Sequence, residues 1–201
     1  APAHRFVGGG TVEARVHTRI GRTRIELRPS YQVQRNHVRV SYPGNFGATE
    51  HVSIDRTLET GRIGVVVSPH DSVAFQASAY RGVRAPSILE LFGNRATVVS
   101  NPALLPESGL GGDLGLTYSV SRDRFCIVGE TRAFAQTLDD IIVLIPTNQY
   151  QARAKNLPRA TVFGLETSTR FSWGSLLDVV AQWNVTRAHD SAGYQLTNRP
   201  F

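Results

Sequence analysis

The sequence predicts an all-β fold, an antiparallel up-and-down transmembrane β-barrel segment of about eight strands. Three observations carry that expectation. Apolar and polar residues alternate with period two along most of the 201 residues. The links between alternating segments are by turns short and long. No apolar run approaches the roughly 18 residues of a membrane helix, the longest being residues 141–145. In lipid only helices and closed barrels satisfy every backbone polar group, so a membrane reading must be a barrel.

The first segment, residues 6–20, sets Phe6, Val12, Ala14, Val16 and Ile20 on one face and Glu13, Arg15, His17 and Arg19 on the other. In the second, Ile25, Leu27, Pro29, Tyr31 and Val33 oppose Arg24, Glu26, Arg28, Ser30 and Gln32. The third, residues 56–69, carries Ile63, Val65 and Val67 on one side. The fourth sets Val73, Phe75, Ala77 and Ala79 against Gln76, Ser78 and Tyr80. Residues 109–120 and 124–138 follow, with Ile127, Ala133 and Ala135 opposite Glu130, Arg132 and Gln136. Residues 159–171 place Phe163, Leu165 and Phe171 against Glu166, Ser168 and Arg170. The last segment has Leu177, Val179, Ala181, Trp183 and Val185 opposite Asp178, Gln182 and Asn184.

Tight links fall at Gly21, at Pro69-His70-Asp71, at Ser121-Arg122-Asp123 and at Trp173-Gly174, all turn-forming sequences. Long links span residues 36–55, 81–108 and 139–158. All short turns therefore lie at one rim and all long loops at the other, the asymmetry of outer-membrane barrels. The segments run to about 11 to 15 residues, longer than the about 5 or 6 usual in soluble sheets and enough for a tilted membrane crossing. The apolar face is expected to meet lipid and the charged face the lumen. A soluble sandwich is the competing all-β architecture, and the broad apolar faces disfavour it.

The net charge is +6, and Lys155 is the only lysine among 22 cationic residues. The arginines are scattered through the strands and form no basic block or recognisable module, which excludes nucleic acid as a partner. Cys126 is the single cysteine and permits no internal disulfide framework. Residue 1 is not methionine and no signal peptide is present, so the expectation is a mature, excised or fragmentary chain.

Residues 73–107 carry the most specific motifs. Arg81-Gly82-Val83-Arg84-Ala85-Pro86-Ser87 leads into a short apolar helical turn, then Asn101-Pro102, Leu104 and Pro106-Glu107. Thr137-Leu138-Asp139-Asp140-Ile141-Ile142 follows, then Asn156, Ala160, Gly164, Leu165 and Glu166 at fixed spacing, and Leu196-Thr197-Asn198-Arg199-Pro200 near the end. In that order these segments resemble the C-terminal barrel of TonB-dependent outer-membrane receptors. Residues 1–72 match that family only in pattern.

The resemblance implies binding and energy-driven uptake of a scarce, bulky nutrient, such as a ferric siderophore or cobalamin, at the outer membrane of a Gram-negative bacterium. It implies no enzyme activity and no cofactor. A transporter barrel of this kind has about 22 strands, so about eight supply a third of its wall. Residues 1–201 are then a partial outer-membrane β-barrel domain, and the family's plug domain and coupling box are absent from them. The implied partners are the outer-membrane bilayer, the remaining barrel strands and plug in the same or another chain, the inner-membrane energising complex reached through the plug, and a small-molecule ligand. Phe201 invites comparison with the terminal aromatic of outer-membrane proteins, but Pro200 cannot donate to a ladder, and truncation is the expected reading. The alternative is a self-closing eight-stranded barrel with a structural or adhesion role.

The expected ligand contacts are Arg81, Arg84, Asn94 and Arg95 in the long link after the fourth strand, where arginine suits an anionic complex. The competing role is that Arg84 and Ser87 only fold that link. Tyr42, Phe46, Phe92 and Tyr150 are candidate ligand stackers, whereas Trp173 is placed at the periplasmic lipid interface and Tyr31, Tyr42 and Trp183 at the other rim. No catalytic constellation emerges. The six histidines are spread out, and only His37 and His51, flanking one long link, are close enough to meet over a metal. Asp139 and Asp140 are adjacent in a strand and point to opposite faces, which suits a loop entry rather than a proton-sharing dyad. Gly8, Gly9 and Gly10 open no helix and are expected to mark a bend or bulge.

Overall fold

The computed structural model describes residues 3–43, 49–94 and 96–190. Phe46, Arg95, residues 196–200 and Phe201 lie outside the described residues, as does the side chain of Tyr42. The elements are β1 (Ala3–Glu13), β2 (Val16–Ile20), β3 (Thr23–Pro43), β4 (Thr49–His70), β5 (Val73–Arg84), α1 (Ile88–Phe92), β6 (Val98–Val99), β7 (Glu107–Arg122), β8 (Phe125–Pro146), β9 (Ala152–Trp173) and β10 (Leu177–Asp190). They form one ten-stranded sheet whose main path runs β1-β3-β4-β5-β7-β8-β9-β10, every neighbour antiparallel.

The eight wall strands are those the alternation predicts, with one division. The expected first strand is split into β1 and β2, yet both keep a single register on β3, from Ala3↔Val40 to Ile20↔Thr23. Continuing that register sets Ala14 against Pro29. The Ala14 N–H donates to the Pro29 carbonyl at 3.0 Å, and proline has no N–H to return the bond. The gap is thus a missing donor rather than a turn.

Gly8, Gly9 and Gly10 correct a second expectation. Their ladder is unbroken, Gly8↔Arg35, Gly9↔Gln34 and Gly10↔Val33, so no bulge exists there. A Cβ on Gly9 would lie 2.5 Å from the Val33 carbonyl oxygen, and close backbone approach is what its glycine permits.

Two of the three long links prove to be mostly strand. β3 and β4 pair up to Pro43↔Thr49, and β8 and β9 up to Pro146↔Ala152, so the expected loops at residues 36–55 and 139–158 are tall hairpins. Strands of 22 residues extend to about 70 Å at about 3.3 Å per residue, far beyond a crossing of about 9 to 11 residues. Only residues 85–106 form a long connection with structure of its own. The opposite rim holds the short turns after β2, β4, β7 and β9, with Gly21 and Gly174 at φ of 62° and 54°.

Register also fixes the faces. Lower on the wall, near the short turns, Leu27, Ile63, Phe75, Leu114, Val179 and Trp183 are exposed on the outer face. Trp173 stands at the short-turn rim, 49 % exposed, and Phe163 is ten residues higher on the same face of β9. At a tilt of about 45° that interval rises by about 23 Å, the height of the apolar band of an outer-membrane barrel.

Above that band the preference inverts along the same strands. In β3 the outer positions become Arg35, His37 and Arg39 while Asn36, Val38 and Val40 on the inner face are buried. In β4 the outer positions become Glu59, Thr57 and Asp55, and Leu58 is buried inside. In β9 the outer positions become Thr161 and Arg159, against buried Val162, Ala160 and Ala154. The outer face changes from apolar to polar, and the inner face from polar to packed protein.

Candidate functional site

The inner face of the upper wall is packed by the connection from residue 85 to 106. Ser87 begins α1 with a capping box: its hydroxyl accepts from the Glu90 N–H at 3.2 Å, and its own N–H donates to Glu90 Oε2 at 2.7 Å. Leu91 and Leu104, buried, then pack with Ile142 and Ala154, and Ile54 and Phe92 join the cluster. The element thus binds β4, β8 and β9 together by burial.

Polar side chains complete the attachment. Asn101 Nδ2 donates to the Ala154 carbonyl at 2.8 Å. Asn156 Oδ1 accepts from the Leu105 N–H at 2.9 Å while its Nδ2 donates to the Leu105 and Asp140 carbonyls at 3.0 and 2.7 Å. Asp140 has φ of 55° and stands where β9 offers Pro158, without an N–H, so the Asn156 amide supplies the bond that the ladder lacks. The Ile142 N–H donates to Glu107 Oε1 at 2.6 Å. Sequence reasoning missed Asn101, Glu107 and Asn156 as structural contacts, although all three stand in the motifs it singled out.

Of the four expected ligand contacts, Arg81, Arg84 and Asn94 are described, and each has different surroundings. Arg84 lies between two carboxylates, Nε to Glu107 Oε2 at 2.7 Å and Nη1 to Glu90 Oε2 at 3.3 Å, and its side chain remains about half exposed. Asn94 is turned inward on its own loop: Oδ1 accepts from the N–H groups of Ala96, Thr97 and Val98 at 3.1, 2.8 and 2.8 Å, and Nδ2 donates to Thr97 Oγ1 at 2.9 Å. Arg81 has the parity of Phe75, Ala77 and Ala79 on β5 and is exposed at the upper margin of the outer face, where an arginine stem lies along apolar surface and its head reaches the interface. Arg95 lies outside the described residues.

Glu90 is held in its charged form. Partial burial pulls its carboxyl up, but the Ser87 N–H and the Arg84 guanidinium outweigh that and set it below the ordinary value. The other candidates separate. His37 Nδ1 lies 2.7 Å from Asp55 Oδ1, whereas His51 stands opposite Ser41, four positions higher on β4. Asp139 accepts from Arg159 Nε at 2.6 Å on the outer face, and it stands within the β8–β9 ladder rather than at the expected loop entry, because the pairing continues to Pro146↔Ala152. Phe92 joins the buried cluster, and Tyr150 is 78 % exposed at the tip of the β8–β9 hairpin, open to a ligand.

Lower on the lumen face a second polar cluster centres on Asp113, 8 % exposed. It accepts from Ser78 Oγ, and Arg132 Nε and Arg62 Nη2 lie 3.3 and 3.7 Å from its oxygens. Arg62 also stands over the Tyr80 ring at 5.9 Å. Two arginines thus converge on one buried carboxylate, and Arg132 also has Glu166 as its ladder partner on β9.

The model of the TonB dependent receptor-like β-barrel family matches residues 21–201. No curated protein matches the sequence. Among solved structures, the copper transporter OprC superposes with a TM-score of 0.75 at 17 % identity, over 96 % of this chain and 30 % of its own. The FrpB iron transporter from Neisseria meningitidis (F3-3 variant) gives 0.61 at 20 % identity, over 94 % and 27 %. A double mutant of the Serratia marcescens hemophore receptor HasR, in complex with its hemophore HasA and heme, gives 0.60 at 16 %, over 92 % and 34 %. Such identities show the shared fold. The chain spans about a third of the length of the solved receptors it matches.

Proposed function

Because this chain belongs to the TonB-dependent receptor β-barrel family, we propose that it forms part of the wall and extracellular loops of an outer-membrane receptor that binds and imports a scarce nutrient. The family are transporters, and the reading assigns no catalytic role. The observation that carries it is the inverting wall: a band about 23 Å tall with apolar side chains outward, surmounted by hairpins whose outer faces are charged and whose inner faces are packed. A soluble sandwich has no reason to reverse its faces partway along each strand.

The remaining wall strands and a plug come from residues beyond this chain or from another chain. The order of the sheet leaves β1 and β10 at its two ends, which argues against closure on eight strands, and open edges do not face lipid. A plug in the lumen would reach the inner-membrane energising complex.

The cargo class follows from relatives that carry copper, iron or heme-bearing protein, so a metal complex such as a ferric siderophore is the first choice and cobalamin the second. Arg84, still half exposed, Arg81 and Arg95 remain proposed contacts, and Asn94 acts by shaping the loop. A strain lacking the full-length gene, grown in turn on limiting iron, copper and cobalamin, tests the reading. A defect confined to one of these and restored by the gene supports it. Normal growth on all three overturns it.

A further inference from the structure

Two buried donors have no acceptor, and the register puts them side by side. Asn36 of β3 and Arg56 of β4 are ladder partners on the inner face of the upper wall. Asn36 is 2 % exposed. Its Oδ1 accepts from Arg5 Nη2 at 2.7 Å, from Arg5 Nε at 3.1 Å and from Gln34 Nε2 at 3.4 Å. Three donors on that oxygen fix the orientation of the amide, so the atom left over is the donor Nδ2, and it is buried without a partner. Arg56 donates Nη2 to the Leu104 carbonyl of the connection, while its Nη1 is likewise buried without a partner.

Charge points the same way. The arginine ion pairs among the described residues use Arg24, Arg28, Arg62, Arg84, Arg132, Arg159 and Arg170, and neither Arg5 nor Arg56. A neutral water would satisfy the donors but bring no counter-charge to the two partly buried guanidinium groups. A buried donor left without an acceptor is destabilising. An oxyanion answers both deficits at once, because it brings two or more acceptor lone pairs and a negative charge.

We propose that Arg5, Asn36 and Arg56 form an oxyanion site on the lumen face, beneath the connection, that takes a carboxylate group. Asn36 Nδ2 and Arg56 Nη1 donate to it directly. Arg5 holds the Asn36 amide in the donating orientation and adds charge. The carboxylate comes either from a free anion in the lumen or from an aspartate or glutamate of the receptor outside this chain. The site goes beyond the receptor reading and does not depend on which nutrient is carried.

The test uses the full-length receptor in detergent, with citrate as the probe, titrated by calorimetry into the parent and into Asn36→Asp and Arg56→Gln variants that keep heat-modifiable migration. Asn36→Asp retains the acceptor for Arg5 and replaces the free donor by an oxygen. A map of the parent receptor by electron cryomicroscopy reads the same site without any variant. Citrate binding that weakens about tenfold or more in both variants supports a free-anion site. No citrate binding, together with a protein carboxylate within hydrogen-bond distance of Asn36 Nδ2 and Arg56 Nη1 in the map, supports the internal source. Water or an apolar group at the two donors, with citrate binding absent or equal in all three proteins, overturns the proposal.

Discussion

The lower and upper halves of the wall are built from the same strands but obey opposite rules. Below, Leu27, Ile63 and Leu114 point outward and are exposed, while Arg28, Arg62 and Asp113 face the lumen. Above, Arg35, Glu59 and Arg159 are outermost, while Val38, Leu58 and Val162 are buried inside. The backbone pairing does not change across the boundary, as Gln34↔Leu58 and Asn36↔Arg56 continue one register. Period two is therefore a property of the chain, and which face carries the apolar residues reports what lies on either side. In the proposed receptor wall the inversion is where the outer surroundings would change from apolar to aqueous.

The largest effect expected from breaking this contrast lies in the upper half. Leu104 is fully buried in the cluster beneath the connection, and Leu104→Ala should cost about 2–5 kcal/mol. Hydrogen exchange of residues 88–104 in the full receptor should then rise sharply, with protection in the lower wall unchanged. Next comes charge in the lower band. Leu114→Arg should destabilise the inserted receptor by about 2–4 kcal/mol, read from urea titration in vesicles, whereas Thr57→Arg on the outer face above the inversion should fall within about 0.5 kcal/mol. Equal effects at the two positions would show that both face the same medium.

Smaller effects sharpen the upper half alone. Ser87→Ala removes the α1 cap and should cost about 1 kcal/mol, seen as faster exchange at Glu90 and Leu91. Glu90 has a lowered folded-state value, so its contribution is complete above the ordinary carboxylate value of 4.5 and declines as the pH falls below it. Loosening of residues 85–106 with falling pH should therefore begin below that value, and Glu90→Gln should remove the dependence. Arg84→Ala distinguishes two roles for one side chain. Loss of cargo affinity with the connection still ordered in exchange experiments supports a ligand contact, and loosening without loss of affinity leaves Arg84 a strut between Glu90 and Glu107.

The strands of the lower half were legible in the sequence apart from the division at Ala14, because an apolar stripe against a charged stripe repeats as far as Val185. The upper half was not. Once the outer stripe turns polar at Arg35 and Glu59, the alternation reads as loop, although residues 36–43 pair with 49–56 and residues 141–146 pair with 152–157. The division at Ala14 depends on Pro29 of another strand, which no local pattern contains. Arg84 and Ser87 could be suspected of folding the connection from their spacing to Glu90, but Glu107, Asn101 and Asn156 act on atoms about 35 to 53 residues away in sequence. The Asn36 and Arg56 donors are 20 residues apart in number and adjacent only by register.

β6 is the smallest strand, two residues in parallel on Ala152 and Arg153 of β9. Among the described residues β10 pairs with β9 as far as Ala160, and β6 joins β9 higher up, near the tip of the β8–β9 hairpin. Val98 and Val99 are flanked there by the Ala152 N–H donating to the Thr97 carbonyl at 2.8 Å and by Asn101 on the Ala154 carbonyl. The connection is thus fastened to β9 by backbone pairing as well as by burial, so that strand and link share one ladder.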